Sequence, residues 1–299
     1  TLDSAFAQTY PNIEIVVIDD GSRDRTLEIL KSYKDQRLRY ISRENRGIAK
    51  TRNELIRASQ GEFLTFLDSD DIYLPDKVSK EMEFLLANPD YDAVYCDLRY
   101  FFDGKPDKLF RHSYTFHSGD IFKELLKRQF ITNTTLMIRR SVIDRIGSFS
   151  EEAREVEDWS YFLRMARARM KFGFVTEDLV RFRLRWDNNT RFEKQLSIQS
   201  DALDIFEELK QELSPGERKE YKIDDIVLSH KMKVFLLMWA NGHKRDARAL
   251  FFGARRDFLW KLYAILSSFV VTLTPSPVMR FFLEKAWNLK KKNLFIPIT

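Results

Sequence analysis

Cys96 is the only cysteine among 299 residues, so no disulfide forms within the chain, and so sparse a use of thiols fits a reducing compartment. No histidine or acidic partner stands near it at a spacing that predicts catalysis, and it reads as an inert buried side chain. Histidine is nearly as scarce: His112, His117, His230 and His243 are scattered, which argues against an imidazole metal site. No apolar stretch is long enough to span a bilayer, and no secretory-leader pattern is present. The basic residues lack a recognisable nucleic-acid reader motif, so nucleic acid is not expected as a partner.

What is present is the composition of a globular protein, with 44% hydrophobic and 32% charged residues. The length suits one large domain with an appendage. The formal charge of +5 is unevenly spread: acidic clusters lie in the front half and Arg and Lys runs in the back third, where an anionic partner is expected.

The chain is organised around residues 61–73, GEFLTFLDSDDIY, an apolar run that stops in a carboxylate cluster. Residues 63–67 read as a short buried strand preceded by Gly61, and Pro75 opens a helical pattern beyond it. Asp68, Asp70 and Asp71 at the carboxyl end of such a strand repel one another unless a cation or hydrogen-bond donors offset their charge. Oxygen ligands at this spacing suit Mg²⁺ or Mn²⁺ and give no grounds for zinc. A solvated loop with one aspartate capping the next helix is the competing reading.

Upstream, residues 1–8 read as the tail of a helix, and residues 13–18 as an apolar strand that runs into Asp19 and Asp20. A helix over 22–34, a strand over 38–41 and a helix containing Arg52 and Asn53 follow. This alternation predicts an α/β domain with a largely parallel sheet, its acidic strand ends on one edge, where ligands of such sheets bind. Arg52, one helix back from the aspartates, either faces the same anionic ligand or is a salt-bridged surface arginine.

Short strands are predicted at 93–95, 98–102, 131–138, 171–175 and 180–186, with Asp103 and Gly104 as a hairpin signal. Arg181, Arg183 and Arg185 alternate on one face of the last, as contacts for diphosphate or as a solvated face. Between these strands, the acidic segment 151–158 opens an amphipathic helix whose Trp159, Phe162, Leu163 and Ala166 bury one side. Asp158 is thereby a rigidly placed carboxylate suited to general-base chemistry, or an ordinary first-turn acid favoured by the helix dipole.

The combined pattern resembles the family 2 glycosyltransferases, nucleotide-sugar-dependent enzymes of the GT-A fold. The resemblance rests on residues 8–12 (QTYPN), 15–22 (IVVIDDGS), 45–47 (NRG) with Arg52 and Asn53, and Gly61 and Glu62 leading into 67–71 (LDSDD). Further on come Arg139 and Arg140, 146–149 (IGSF), and 157–159 (EDW) with 164–166 (RMA), so that roughly the first 190 residues are covered. It implies a GT-A-like, Rossmann-related α/β fold with a mixed, mainly parallel sheet, a catalytic domain over 1–190 and a helical extension over 191–299. It further implies that Asp20 recognises the nucleotide base, that Asp68 and Asp70 form the family's Asp-x-Asp at the ribose and the metal-bound diphosphate, and that Asp71 is an alternative metal ligand. Arg52 would assist the nucleotide side, and Asp158 would be the catalytic base of an inverting, Mn²⁺- or Mg²⁺-dependent enzyme. The donor is then a nucleotide-sugar, a UDP-sugar before others, and the acceptor a hydroxyl of a saccharide or glycolipid.

The sequence departs from the family at two points. It starts after the family's first strand, and Phe182 stands where processive members carry Gln in Gln-x-x-Arg-Trp, although Arg185 and Trp186 match. A nucleotidyltransferase acting on a sugar phosphate and a non-catalytic GT-A-like scaffold are the alternatives; the first wants a glycine- and lysine-bearing phosphate loop, which is not evident. Residues 255–299 combine an apolar-aromatic surface with basic flanks, as expected of an in-plane amphipathic segment on a membrane. A homodimer contact or a cap on the catalytic domain is the competing use. The expected location is cytoplasmic, peripheral at the inner face of the cell membrane when that segment binds lipid.

Overall fold

The computed structural model describes residues 1–112, 115–153, 155–184, 192–253 and 295–297. The chain divides into two compact units, Thr1–Leu184 with Pro297–Thr299, and Arg185–Ile296. The membrane segment expected over 255–299, and Arg185 and Trp186, lie outside the described residues, apart from the short strand β9 (Phe295–Pro297). Among the described residues no helix is long and apolar enough to cross a membrane.

In the first unit, α1 (Leu2–Phe6) precedes β1 (Ile15–Asp20), α2 (Thr26–Ser32), β2 (Leu38–Arg43) and α3 (Ile48–Ala58). β1 and β2 pair in parallel from Ile15 opposite Leu38 to Asp20 opposite Arg43. The acidic pair thus belongs to the strand itself, because β1 runs two residues past its apolar stretch.

A second, mixed sheet follows. It contains β3 (Phe63–Thr65), β4 (Ile72–Tyr73), β5 (Ala93–Phe102), β6 (Lys105–His112), β7 (Leu136–Arg139) and β8 (Phe172–Leu184). β7 lies between β3 and β5 and is antiparallel to both, whereas β5 and β8 run parallel over ten residue pairs. The sheet is mixed, as the resemblance implies, and the antiparallel β7 is the member that strand and helix alternation alone does not predict. Two pairs of short predicted strands are single long ones: β5 runs through 93–102, and β8 runs through 172–184, its extra residues opposite Asp97 taking up the register shift between the two. Asp103 and Gly104 do turn the chain from β5 into β6, Gly104 at φ +77°.

Four helices flank this sheet: α4 (Lys77–Ala87), α5 (Phe122–Lys127), α6 (Ser141–Ile146) and α7 (Glu157–Arg167). The core is dense where α4 lies on the strands. A Cβ built on Gly173 would stand 2.0 Å from the Phe84 ring, so the helix approaches β8 this closely only because that position lacks a side chain. Val78, Met82, Leu85, Val94 and Met137 close the same layer.

The second unit is helical, with α8 (Phe192–Glu212), α9 (Pro215–Tyr221), α10 (Ile223–Ala240) and α11 (Lys244–Gly253). Ser214 and Glu217 form a reciprocal capping box at the start of α9, with Pro215 at the first helical position. Phe235, Trp239 and Ala247 bury the contact of α10 with α11.

Candidate active site

β1 delivers Asp19 and Asp20 at its last two positions. Asp19 is buried and accepts hydrogen bonds from the Ser22 amide at 2.9 Å and the Ser42 hydroxyl at 2.8 Å. These donors hold its carboxyl below the usual range. Asp20 accepts from the consecutive amides of Arg46 at 2.8 Å and Gly47 at 3.1 Å, and pairs with Arg43, its partner across the β1–β2 register. Burial works against its charge, but the amides and the guanidinium together keep it ionised below the usual carboxylate value. Gly47 adopts φ +90°, the conformation that turns the two amides toward the strand end.

The carboxylate run begins three residues past β3. Asp68 keeps 40% of its side chain exposed and accepts from Arg52 Nη2 at 3.2 Å. Asp70 is partly buried, and its main-chain carbonyl accepts from Arg183 Nε at 2.9 Å. Asp71 is 1% exposed, its carboxylate accepting from the Thr134 hydroxyl at 2.8 Å and the Arg183 amide at 3.0 Å. Burial pushes this carboxyl up to about 7, against those hydrogen bonds. Both of its oxygens are therefore used to fasten the acidic loop to β8 and to the 3-10 turn before β7, at Asn133–Thr135.

Below the loop, the fully buried pair Lys77 and Glu81 meets at 2.6 Å, and Lys77 also donates to the Thr65 hydroxyl at 2.9 Å. Tyr73 donates to the Phe66 carbonyl at 2.7 Å, two residues before Asp68. Cys96 is buried in the same region, its thiol pushed up by burial, in keeping with an inert role.

α7 supplies the opposite wall. Glu157 and Asp158 occupy its first turn, where the dipole favours acids. Asp158 is partly buried, and each of its oxygens has one donor: the Trp159 amide to Oδ1 at 2.7 Å and Gln129 Nε2 to Oδ2 at 2.7 Å. Burial raises its pKa, opposed by the charge of Arg52 and by these two hydrogen bonds, while Asp68 adds repulsion. Glu157 is buried and ion-paired with Arg52; burial and the neighbouring Asp158 raise it as well.

Arg52 joins the walls. It is 5% exposed, lies over the Phe149 ring and bonds both Glu157 and Asp68. Burial alone disfavours its charge, and Asp68, Glu157 and Asp158 more than restore it. Its neighbour Asn53 exchanges two hydrogen bonds of 2.9 Å with the backbone of Phe149, so that α3 holds the segment leading to α7.

The structure therefore brings Arg52, Asp68 and Asp158 to one place and puts Asp70 and Asp71 on the same acidic loop as Asp68. Asp20 closes a separate hydrogen-bonded turn at the end of β1. Glu157 and Gln129 complete the arrangement, and the sequence assigns neither a role at the site; for Glu157 the signal is its place beside Asp158 in the EDW motif. Arg181 and Arg183, read as diphosphate contacts or a solvated face, are engaged within the protein: Arg181 with Asp178 at 2.9 Å, and Arg183 with Asp103 at 2.8 Å besides the loop. Arg140 likewise donates to the Gly61 carbonyl at 2.6 Å, and Arg139 to those of Leu85 and Tyr91.

Among the described residues, no group of three or more His, Cys, Asp or Glu side chains is gathered that could hold a metal ion. The donors at the loop are hard carboxylate oxygens, the chemistry that Mg²⁺ and Mn²⁺ accept from one or two aspartates when phosphate oxygens complete the shell. Asp70 beside the part-exposed Asp68 fits such a group; Asp71, held at both oxygens, fits the frame around it.

The family model described as Glycosyl transferase family 2 matches residues 1–147. An uncharacterized glycosyltransferase of Rickettsia typhi is 36% identical over 55% of this chain, which spans 54% of that relative's length. A putative teichuronic acid biosynthesis glycosyltransferase, TuaG of Bacillus subtilis, is 30% identical over 62% of this chain and 72% of its own. In fold, the chain is similar to the mannosyltransferase PcManGT of Pyrobaculum calidifontis, solved with GDP-Man and Mn²⁺. The TM-score is 0.57 at 16% identity, covering 98% of this chain and 81% of that one. That likeness carries the GT-A-like arrangement of sheet, flanking helices and helical region.

Proposed function

Because the chain belongs to glycosyl transferase family 2, we propose that it moves a sugar from a nucleotide-sugar to a hydroxyl of a saccharide or glycolipid, inverting the anomeric configuration, with Asp158 as general base. The observation that carries this reading is the Asp158 carboxylate, fixed by one donor on each oxygen and raised above the ordinary aspartate value by burial, across Arg52 from the part-exposed Asp68. A carboxylate held this way keeps a lone pair on each oxygen and takes a proton more readily than an ordinary aspartate.

In this reading Asp158 removes the acceptor's proton as the hydroxyl attacks the anomeric carbon, and the nucleoside diphosphate leaves on the opposite side. Asp68 and Asp70 would face that leaving group, and Asp70 would hold the divalent ion, with Asp71 securing the loop that presents them. When bound, Mn²⁺ or Mg²⁺ neutralises charge on the departing diphosphate. Asp20 orients the nucleotide base. Arg52 assists the nucleotide side through Asp68 while balancing Glu157 and Asp158. A UDP-sugar is the favoured donor; the fold relative solved with GDP-Man and Mn²⁺ makes the GDP-sugars the necessary comparison.

Calorimetry with UDP-, dTDP- and GDP-sugars, with and without Mn²⁺, tests the donor side. Selective binding that needs Mn²⁺ is expected, weakened by about 10–100-fold in Asp70→Asn, since a lost metal contact costs at least as much as a lost supporting one. Metal-independent affinity, or full affinity in the variant, removes Asp70 from the metal. No binding to any donor favours the scaffold reading.

A further inference from the structure

Gln129 stands just past α5 and belongs to none of the motifs that carry the family resemblance. Its side-chain amide donates to Asp158 Oδ2 at 2.7 Å and, more weakly, to the Ile131 carbonyl at 3.4 Å. Phe130, Ile131, Thr134 and Thr135 are buried, which anchors the segment that carries it. Five residues further on, Thr134 holds the Asp71 carboxylate at 2.8 Å. One short, anchored segment thus touches the base on one side and the acidic loop on the other. A second tie runs alongside: Trp159 Nε1 donates to the Leu125 carbonyl at 2.9 Å, fastening the start of α7 to α5.

We propose that Gln129 is a positioning residue for Asp158: its amide occupies one oxygen of the carboxylate and fixes the direction in which the remaining lone pairs meet an acceptor hydroxyl. The inference rests on Asp158 being the base. A neutral amide suits this position because Asp158 already has Arg52 from α3 as its cation and Asp68 from beyond β3 and Glu157 from α7 itself as like charges. A lysine here would hold the proton-accepting oxygen in a stronger ion pair, and a carboxylate would repel it. An amide donates one hydrogen bond and leaves the net charge unchanged.

The test uses the full chain with ¹³C-labelled aspartate, the Asp158 carboxyl signal being identified by its loss in Asp158→Asn. In Gln129→Met, which keeps the length of the side chain and removes the donor, the Asp158 titration midpoint is expected to rise by about one pH unit. The acidic limb of the turnover profile should move with it, at unchanged KM for the donor that binds best in calorimetry. If Gln129→Met does not fold, Gln129→Glu carries the same test, because a second carboxyl sharing a proton also lifts the midpoint. An Asp158 midpoint that stays in place in a folded variant, while Asp158→Asn has lost turnover, overturns the role of Gln129 alone. Turnover retained by Asp158→Asn overturns both the base and the inference.

Discussion

Asp158→Asn is expected to lower turnover by about 10²–10⁴-fold while donor binding is unchanged, because only proton abstraction is removed. The substitution preserves shape but not hydrogen-bonding sense. Both aspartate oxygens accept, from the Trp159 amide and from Gln129. The asparagine NH₂ must face one of these two donors, which costs about 1–3 kcal/mol for the group left unpaired. Some loss of stability is thus expected alongside the loss of activity, and a melting curve measured below the assay temperature and through it separates the two. The pH dependence gives an independent sign. The raised pKa of Asp158 predicts that wild-type activity falls as pH drops through a value above the ordinary aspartate range, where the base becomes protonated. An acidic limb at the ordinary value, or turnover surviving in a folded Asp158→Asn, sinks the assignment.

What made this site legible was the local part of it. The run of 63–71 shows an apolar strand ending in acids without any partner being known, and the first-turn position of Asp158 follows from the apolar spacing of the helix behind it. Non-local partners decide the rest. Asp70 and Asp71 are adjacent and chemically identical, yet Thr134 and Arg183, 63 and 112 residues away from Asp71, take its oxygens and leave it buried. Nothing within the LDSDD run distinguishes the two. The exchange between Asn53 and Phe149 spans 96 residues and turns two separate motifs into one support, a link that periodicity does not carry. Gln129 is a plain polar residue in a loop until α7 is placed against it. The mixed sheet implied by the resemblance is present, but the place of its antiparallel member is non-local too: alternation of strand and helix predicts parallel pairing for neighbours in sequence, and β7, which enters from a later connection, is antiparallel to both strands it separates.

Arg52→Met is expected to destabilise the first unit by about 3–5 kcal/mol at pH 8, because it leaves buried acids without their cation. Arg52 is the positive charge that bonds Glu157 and Asp68 and lies within electrostatic reach of Asp158. Removing it raises the pKa of Glu157 and Asp158 further above 4.5 and 3.8, the values for free side chains. A carboxyl whose folded pKa is raised binds more protons in the folded state, so the stability it contributes is full below the unfolded pKa and is lost as pH climbs through the folded one. In the variant that loss is steeper and extends higher. The cost should therefore be small near pH 5, where Glu157, pushed up to about 7, already carries its proton, and largest at pH 8. Urea unfolding of wild type and variant at the two pH values measures this directly. The double replacement Arg52→Met with Glu157→Met should recover much of the loss at pH 8, since the acid in direct ion pairing is removed together with its partner. An equal cost at pH 5 and pH 8, unrelieved by the second substitution, would mean that Arg52 supports α3 and Phe149 by packing alone, and that the charge balance around Asp158 does not depend on it.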